Sequence, residues 1–295
     1  MYAKAAVVIM NIVILGSTGY LGQKLVSEFA NNNNEVLGLT HRTHPGSKAE
    51  NVHYIPIDEL EQYNKSVDVV INCSCKYMRY NYDNTDIISS NLKSPMTTLE
   101  WAITHKVPKY ITIGTGLPDD FNIYCITKKA FADIGKYYVD NINARGEEKF
   151  TYYNILLENY YGPDEPGTRF IPNTLDKLLN NEPIDLTSGT QMRDFIYIDD
   201  VVQAIVMLSS APFSGYHDIP LGSGYAPRLY DFITEMKLQT HSESRLNFGS
   251  VPFRVHEPNC VADESVMRAY GIQIRYQYKA GIEKMIRERK KCKSL

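Results

Sequence analysis

A glycine-rich turn near the start of the chain constrains its fold more than any other feature. The stretch ILGSTGYLG follows an apolar run, precedes the helical pattern QKLVSEFA, and spaces Gly16, Gly19 and Gly22 as GxxGxxG. Between a strand and a helix, such glycines allow a tight turn, a close approach of the main chain to a pyrophosphate, and close packing of helix on strand. The turn therefore predicts a dinucleotide site at a helix N-terminus, with an ordinary strand-to-helix turn as the alternative.

The order of the apolar runs predicts the fold class. The runs NIVILG, EVLGLT, VDVVINCS, KYITIG and FTYYNILL are short and are separated by helical patterns or polar loops. This alternation predicts an α/β protein with a doubly wound parallel sheet, a Rossmann fold. We expect residues 1–157 and about 190–212 to form the dinucleotide-binding domain, with a smaller C-terminal substrate-binding lobe from about 158–189 and 213–295. Ligands of such sheets bind at the carboxyl ends of the strands.

Composition excludes several classes of protein. The 295 residues have a formal net charge of -3 and no long basic stretch, so nucleic acid is not an expected partner. The opening run AAVVIMNIVIL lacks a small-residue cleavage site, and we interpret it as a buried strand rather than a signal peptide or membrane segment. Five cysteines without a CxxC pair favour reduced thiols and a cytoplasmic location. Neither Cys73 and Cys75 nor His41 and His44 have the partners of a metal site, so no metal is expected.

The residues after the second apolar run indicate the type of cofactor. An NAD site offers Asp or Glu to the ribose 2′-hydroxyl about 20 residues beyond the glycines. This chain has Thr40, His41 and Arg42 there, and a cation suits the 2′-phosphate of NADP(H) unless Arg42 is a solvated loop residue. Asp58 is a candidate for the adenine edge. The candidate cofactor contacts are Gly16, Thr18, Gly19, Tyr20, Leu21, Gly22, Thr40, His41, Arg42, Asp58, Asn72, Ser74, Tyr124 and Lys128.

A hydroxyl, a phenol and an ammonium follow the glycine turn along the chain. The stretch YCITK places Tyr124 and Lys128 four residues apart, on one face of a predicted helix. A nearby ammonium lowers the pKa of a phenol toward neutral pH, which makes Tyr124 a candidate proton donor. Thr115 ends a run that should form a strand next to the cofactor. Thr115, Tyr124 and Lys128 are therefore the candidate catalytic residues.

With these residues, the chain resembles the extended short-chain dehydrogenase/reductases that act on nucleotide sugars, over essentially its whole length. The resemblance implies that Thr115 polarises the substrate oxygen and that Tyr124 is the general acid and base. It also implies that Lys128 holds the nicotinamide ribose and tunes Tyr124. Asn91 matches the active-site asparagine of the family, and a helix cap is the alternative for it.

Two further stretches carry the resemblance into the second half of the chain. In RDFIYIDD, Arg193 matches the arginine that grips the substrate diphosphate, a role that suits a planar cation with several donors. In LLENYYGP, Asn159 matches a residue near that diphosphate. The family often has an arginine shortly before this asparagine, where this chain has Leu156.

Three longer stretches, IGTGLPDDFNIYCITKKAF, INCSCKYMRYN and IDLTSGTQMRDFIYIDD, resemble one subgroup of the family. Its members use NADPH to reduce the 4-keto group of CDP-4-dehydro-3,6-dideoxy sugars, for O-antigen and other polysaccharides. This resemblance implies a CDP-linked nucleotide-sugar substrate, a homodimer, and stacking of Tyr77 on the sugar. An ordinary packed tyrosine is the alternative for Tyr77.

The expected function is therefore an NADPH-dependent 4-ketoreductase of a nucleotide-linked deoxysugar. The alternatives are a 4-epimerase or dehydratase with tightly bound NAD, and a non-catalytic NADPH-binding sensor or scaffold. Dehydratases of this family have an Asp-Glu pair directly after the threonine, where this chain has Gly116 and Leu117. Asp119 and Asp120 come after a proline, and we expect them in a turn.

Overall fold

The computed structural model describes residues 9–41, 49–77, 83–146, 149–252 and 258–293. These residues form two compact units. The first contains the described residues up to 114 together with 119–155 and 206–218, and the second contains 115–118, 156–205 and the described residues from 219. No helix in the described ranges is long and apolar enough to cross a membrane.

The strands and helices are as follows. The strands are β1 (Asn11–Leu15), β2 (Glu35–Thr40), β3 (Val52–Pro56), β4 (Val69–Asn72), β5 (Lys109–Ile113), β6 (Thr151–Leu157), β7 (Asn159–Tyr161), β8 (Ile184–Leu186), β9 (Phe195–Tyr197), β10 (Tyr216–Leu221) and β11 (Leu246–Phe248). The helices are α1 (Tyr20–Asn31), α2 (Asn84–Ile88), α3 (Ser94–Thr104), α4 (Ile123–Arg145), α5 (Phe170–Leu179), α6 (Ile198–Ser210), α7 (Leu229–Thr240), α8 (Glu264–Ala269) and α9 (Tyr278–Lys293). A 3-10 helix covers Ile57–Gln62 and a π-helix covers Ser89–Lys93.

A seven-stranded sheet has the order β10-β6-β5-β4-β1-β2-β3. The pairings from β3 across to β6 are all parallel. Strand β1 lies between β2 and β4. The strands β2 and β3 follow on one side of β1, and the strands from β4 onward follow on the other side, so the direction of strand addition reverses at β1. This is the switch point at which doubly wound sheets bind their ligands. The predicted α/β fold with a parallel Rossmann sheet is confirmed.

The apolar runs form the strands of the large sheet, and nearly every residue in them is buried. In β1, Val13, Ile14 and Leu15 are at most 1% exposed, as expected for a parallel sheet that is covered on both faces. Aromatic side chains extend this core, and the rings of Tyr110 on β5 and Tyr152 on β6 stack with centroids 5.5 Å apart. Full burial of one such apolar side chain contributes about 1.5–3 kcal/mol to stability, which fixes the strand positions.

Helix α4 is defined at both ends by the residues that flank it. Asn122 caps its N-terminus, since its side chain accepts a hydrogen bond from the amide of Cys125 at 3.1 Å. Gly146 ends the helix with φ +71°, a left-handed conformation that suits glycine. Tyr124 and Lys128 both lie on the buried face of α4, as their four-residue spacing predicts.

The second unit contains two small parallel sheets, β7 with β9 and β8 with β11. Its core includes aromatic rings in edge-to-face contact, such as Tyr161 against Phe232 with centroids 5.4 Å apart at 88°. Strand β9, expected with the first domain, pairs with β7 because Phe195 packs in this aromatic core. Strand β10, expected in the smaller lobe, is the edge strand of the large sheet.

Candidate active site

The glycine turn in the first unit fits a pyrophosphate. Gly16 has φ +78°, and a Cβ there would lie 2.7 Å from the amide nitrogen of Ser74. A Cβ on Gly22 would overlap the carbonyl oxygen of Gly16. The amide of Gly19 donates to that same carbonyl at 3.0 Å, and α1 begins at Tyr20 without a side-chain cap. The first turn of α1 thus follows a glycine that has no side chain to cover it, and main-chain N–H groups at a helix N-terminus are the donors that bind phosphate.

Some residues that were predicted to contact the cofactor could do so only through their main chain. Leu21 is 5% exposed, so its side chain belongs to the core. Thr18 is exposed, and its carbonyl accepts a hydrogen bond from the side chain of Gln23 at 2.7 Å. The buried Ser17, which the sequence analysis missed, donates to the carbonyl of Leu39 at 2.9 Å and ties the turn to the end of β2. The position of this hydroxyl between two glycines of the turn could have identified Ser17 from the sequence.

The carboxyl ends of β1, β2, β4 and β5 lie side by side. The register pairs Leu15 with Leu39 on one side and with Asn72 on the other, and Asn72 with Thr112. Thr40 is buried, and its hydroxyl donates to the carbonyl of Ile55 at 3.3 Å. The Thr40 hydroxyl is thus engaged within the sheet, and a cofactor contact of this residue stays a prediction.

The other residues predicted to recognise the cofactor follow these strand ends. His41 is exposed directly after β2. Arg42 lies outside the described residues. Asp58 is exposed in the first turn of the 3-10 helix that follows β3. Asp58 and His41 are therefore both placed at the carboxyl ends of adjacent strands, where a dinucleotide would bind.

Asn72 shapes the loop after β4. It is fully buried, its amide nitrogen donates to the hydroxyl of Thr112 at 3.0 Å, and its side-chain oxygen accepts from the amide and hydroxyl of Ser74 at 3.0 and 2.6 Å. Both polar ends of the Asn72 side chain are engaged within the protein, and the predicted cofactor contact of this residue stays a prediction. Ser74 is half-buried beside Gly16.

Asn91 fastens the far end of the same loop. It lies within the π-helix, is 1% exposed, and exchanges two hydrogen bonds with the main chain of Lys76, at 2.7 and 3.0 Å. Its side chain also donates to the hydroxyl of Thr127 at 3.3 Å. Asn91 is therefore not a helix cap. Single π-turns within helices are frequent at functional sites, and this one positions the residue that precedes Tyr77.

Tyr77 and Tyr124 form an aromatic pair. Their ring centroids are 4.9 Å apart with the planes inclined by 33°. Tyr124 is 6% exposed, whereas Tyr77 is 37% exposed, so Tyr77 is a surface residue that covers the candidate proton donor rather than a core residue. Aromatic pairs in this arrangement contribute about 0.5–1.5 kcal/mol beyond the area they bury, and they limit the movement of both rings.

Lys128 joins two strand ends. Its Nζ donates to the carbonyl of Ser74 at 3.0 Å and to that of Ile113 at 2.8 Å. Burial lowers the pKa of Lys128, and the thiols of Cys75 and Cys73 oppose this effect. An ammonium has three N–H donors, of which two hold the loops after β4 and β5 and the third has no partner among the described residues.

In the second unit, Thr115 begins the short segment 115–118, which is in contact with the buried carboxyl group of Glu158. The hydroxyl of Thr115 accepts from the amide of Leu117 at 3.2 Å, and the amide of Gly116 donates to the carbonyl of Leu157 at 3.0 Å. The carboxylate of Glu158 packs directly on Gly116, where even a Cβ would overlap it. Sequence analysis did not identify Glu158, because its role depends on a contact between residues that are far apart in the chain.

The same unit contains a cavity of about 470 Å³, within the size range of small-molecule sites. Arg193 and Asn159, both predicted at the substrate diphosphate, line it. The remaining lining residues are Phe170, Asp185, Leu186, Thr187, Gln191, Phe195, Leu229, Val251 and Pro252. Arg193 is 9% exposed, and its Nη1 donates to the carbonyls of Met192, at 3.0 Å, and of Pro258. Main-chain contacts thus hold a buried cation at the cavity wall.

Other acidic residues have structural contacts or surface positions. Asp200 is 1% exposed and accepts hydrogen bonds from the main-chain amides of Arg275 and Tyr276. Asp119 and Asp120 lie exposed in a turn, as predicted. Among the described residues, no three side chains of the types that ligate metals come together.

The fold and these residues define a dinucleotide-binding enzyme class. Residues 12–222 match the NAD dependent epimerase/dehydratase family, and the chain belongs to this family. It is similar to CDP-abequose synthase of Salmonella muenchen, with 26% identity over 287 residues that cover 93% of this chain and 96% of the relative. The predicted resemblance to the nucleotide-sugar subgroup is thereby confirmed.

Solved structures show the same fold. The structure of MoeE5 in complex with UDP-glucuronic acid and NAD has a TM-score of 0.81 and 20% identity, and covers 97% of this chain and 100% of that chain. The epimerase Mth375 from Methanothermobacter thermautotrophicus has a TM-score of 0.83 and 16% identity, over 98% of this chain and 94% of that chain.

Proposed function

We propose that the protein is an NADPH-dependent reductase of the 4-keto group of a CDP-linked dideoxysugar. The reaction is that of a CDP-paratose or CDP-abequose synthase acting on CDP-4-dehydro-3,6-dideoxy-D-glucose. The similarity to CDP-abequose synthase along nearly the whole chain supports the substrate class. The observation that carries the proposal is the position of Tyr124, which is buried under Tyr77 and one helical turn from the buried Lys128.

The first unit supplies the residues that would hold the cofactor. The main chain of the glycine turn would bind its pyrophosphate, and the remaining donor of Lys128 its nicotinamide ribose. Arg42 would bind the 2′-phosphate of NADP(H). When bound, NADPH supplies the hydride for C4 of the sugar.

The protein residues then manage the charge that develops on the substrate oxygen. Tyr124 donates its phenolic proton to the forming alkoxide, and the Thr115 hydroxyl donates a hydrogen bond to the same oxygen. Lys128 favours the phenolate that remains on Tyr124 by its positive charge. Arg193 and Asn159 bind the diphosphate and so orient the sugar. By the same resemblance, the enzyme is a cytoplasmic homodimer.

A reductase differs from the alternative proteins in the cofactor that it consumes. A 4-epimerase or a dehydratase recycles its NAD, and a sensor protein converts no substrate. Gly116 and Leu117 carry no proton-transferring group, which argues against the dehydratase chemistry of an Asp-Glu pair at these positions. A reductase therefore oxidises one NADPH for each 4-keto sugar and leaves a plain nucleotide hexose unchanged.

The test is to supply the purified protein separately with CDP-4-dehydro-3,6-dideoxy-D-glucose and with CDP-glucose, each with NADPH. We expect stoichiometric NADPH oxidation with the keto sugar only, and a 4-hydroxy product by NMR. Conversion of CDP-glucose to a 4-keto-6-deoxy product without net NADPH use would make the protein a dehydratase. Conversion by tightly bound NAD, without added cofactor, would make it an epimerase.

A further inference from the structure

Glu158 is a buried acid for which the proposed mechanism has no role. Its side chain is 8% exposed and packs on Gly116, one residue after Thr115. Among the described residues, no hydrogen-bond donor contacts its carboxylate, although a buried charge normally has such partners. The group therefore either holds a proton or depends on a nearby cation.

Three ionisable groups face Glu158 within the second unit. Arg193 attracts the negative charge of Glu158 and Asp194 repels it. The thiol of Cys260 is close enough for the charges of Glu158 and Arg193 to shift its pKa. The segment 115–118 that packs on Glu158 contributes no charge, and neither does Leu221, whose carbonyl accepts from the Glu158 amide at 2.9 Å. Arg193 is consequently the only cation that faces the carboxylate within the described part of the chain.

Asp194 and Glu158 differ in how their charge is satisfied. Asp194 accepts hydrogen bonds from the amide and hydroxyl of Ser223, each at 2.6 Å, and from the amides of Gly224 and Ala262, each at 3.1 Å. Four donors stabilise a carboxylate in its charged form. Burial raises the pKa of Asp194 and these donors oppose the shift, whereas no donor among the described residues opposes it for Glu158. Of the two neighbouring acids, Glu158 is therefore the one that accepts a proton more readily.

Arg193 also faces the cavity in which an anion would bind. It lines the cavity together with Asn159, the residue directly after Glu158. The other lining carboxylate, Asp185, is engaged with the side chains of Asn247 and Ser250 at 2.9 and 3.3 Å. An anion at Arg193 would therefore compete with Glu158 for the same guanidinium.

We propose that Glu158 and Arg193 form a proton-linked site, at which Glu158 takes up a proton when the diphosphate of a nucleotide sugar binds to Arg193. The inference rests on the proposed function for the identity of the ligand. It makes Glu158 a positioning residue that acts through Arg193, and the proton it takes up comes from solvent.

The direction of the effect follows from the charges. Burial, assisted by Asp194, raises the pKa of Glu158 to about 7 while Arg193 lowers it. A bound diphosphate adds negative charge and screens Arg193, so the pKa rises further in the complex. Below pH 7 Glu158 is protonated in both states, and binding takes up no proton. Above pH 7 it is ionised in the free protein only, so affinity falls by up to about tenfold per pH unit until the pKa of the complex is reached.

The experiment is isothermal titration calorimetry of the full-length protein with CDP-glucose, whose diphosphate has no titration near neutral pH. At pH 6 and at pH 8, the binding heats measured in buffers of different ionisation enthalpy give the number of protons taken up for each bound ligand. We expect a value approaching one at pH 8, near zero at pH 6, and near zero at both for cytidine, which has no phosphate. The variant Glu158→Gln, a neutral isostere, should bind without uptake, and at pH 8 about tenfold more tightly than the wild type.

Glu165→Gln is the matched control, because Glu165 is a buried acid of the same unit that pairs with Arg169 at 2.6 Å. It should keep the proton uptake of the wild type. Binding of CDP-glucose without uptake by the wild type, or unchanged uptake in Glu158→Gln, would overturn the proton link and leave the proposed function intact. No binding of CDP-glucose at any pH would overturn the diphosphate site at Arg193, whereas the proposed function fails only if CDP-4-dehydro-3,6-dideoxy-D-glucose is not converted either. The wild-type measurement decides even if a variant fails to fold.

Discussion

The glycine turn of the first unit and the Arg193 cavity of the second unit are built in different ways. The turn consists of main-chain groups, and its shape depends on missing side chains: a Cβ at Gly16 or Gly22 would collide with main-chain atoms. The cavity depends instead on side chains, with Arg193 held by carbonyls and faced by Glu158. A main-chain site keeps its charge pattern at every pH, whereas a side-chain site can be tuned by titration. From this difference we expect pyrophosphate binding by the glycine turn to be insensitive to pH, and diphosphate binding at Arg193 to depend on it.

The largest effect is expected from Tyr124→Phe, which removes the proton donor and keeps the ring. We expect turnover to fall by at least ~10²-fold, the usual contribution of a positioned acid, with unchanged binding of NADPH. Stopped-flow kinetics and fluorescence titration of NADPH measure the two quantities. Tyr137→Phe, on the same helix but 63% exposed, is the control and should behave like the wild type. Near-normal turnover in Tyr124→Phe would remove Tyr124 from the mechanism.

Arg193→Ala tests the side-chain site. A charge-assisted hydrogen bond contributes about 1.5–3 kcal/mol, so we expect the KM for the CDP-sugar to rise roughly 10- to 150-fold. Some loss of kcat follows, because the diphosphate also orients the sugar. NADPH affinity should stay the same. Arg268→Ala, an exposed arginine paired with Glu264, is the control. An unchanged KM in Arg193→Ala would exclude this residue from the substrate site.

Arg42→Ala tests the one side chain that the sequence assigns to cofactor choice. The wild type should prefer NADPH to NADH, and the variant should lose about 1.5–3 kcal/mol of NADPH binding with little effect on NADH. Dissociation constants for both cofactors give the result, with Arg145→Ala on helix α4 as the control. Equal use of both cofactors by the wild type would contradict the NADP assignment.

Gly22→Ala and Gly19→Ala should separate two roles within the glycine turn. A Cβ added at Gly22 would overlap the Gly16 carbonyl, so we expect the free energy of unfolding to fall by about 1–3 kcal/mol. A Cβ at Gly19 would lie 3.3 Å from that carbonyl oxygen, a tight contact that a small main-chain shift relieves, so stability should fall less than in Gly22→Ala while NADPH binding weakens. Denaturant unfolding and NADPH titration of both variants check this. Equal stability loss in both would show that the turn is packed differently.

The parts of the molecule that could be predicted are those with local signals. The strand runs, the glycine spacing and the Tyr124–Lys128 pair each lie within a few neighbouring residues, and each is found where the sequence predicts it. The pairing partners of strands β9 and β10 could not be predicted, because a three-residue strand such as β9 shows no hydrophobic period and its pairing depends on distant contacts. The predicted domain boundaries as a whole stay a prediction.

Side-chain roles that depend on distant partners were not predictable from the sequence. Asn91 matched an active-site residue, but the loop it fastens, at Lys76, could not be inferred from spacing. Glu158 carries no motif and gains its meaning only from Gly116 and Arg193. A buried carboxylate that no donor among the described residues contacts is visible only when the fold is known, because its environment comes from several segments of the chain.

The most direct test of the central claim is the fate of the hydride. The protein would be supplied with CDP-4-dehydro-3,6-dideoxy-D-glucose and NADPH that carries deuterium on both faces of the nicotinamide C4, so the face of transfer does not matter. The account predicts a product with one deuterium at C4 of the sugar, by mass spectrometry and NMR, and one NADP⁺ for each product molecule. A converted sugar without deuterium at C4 would contradict it, because the hydride would then not come from added NADPH.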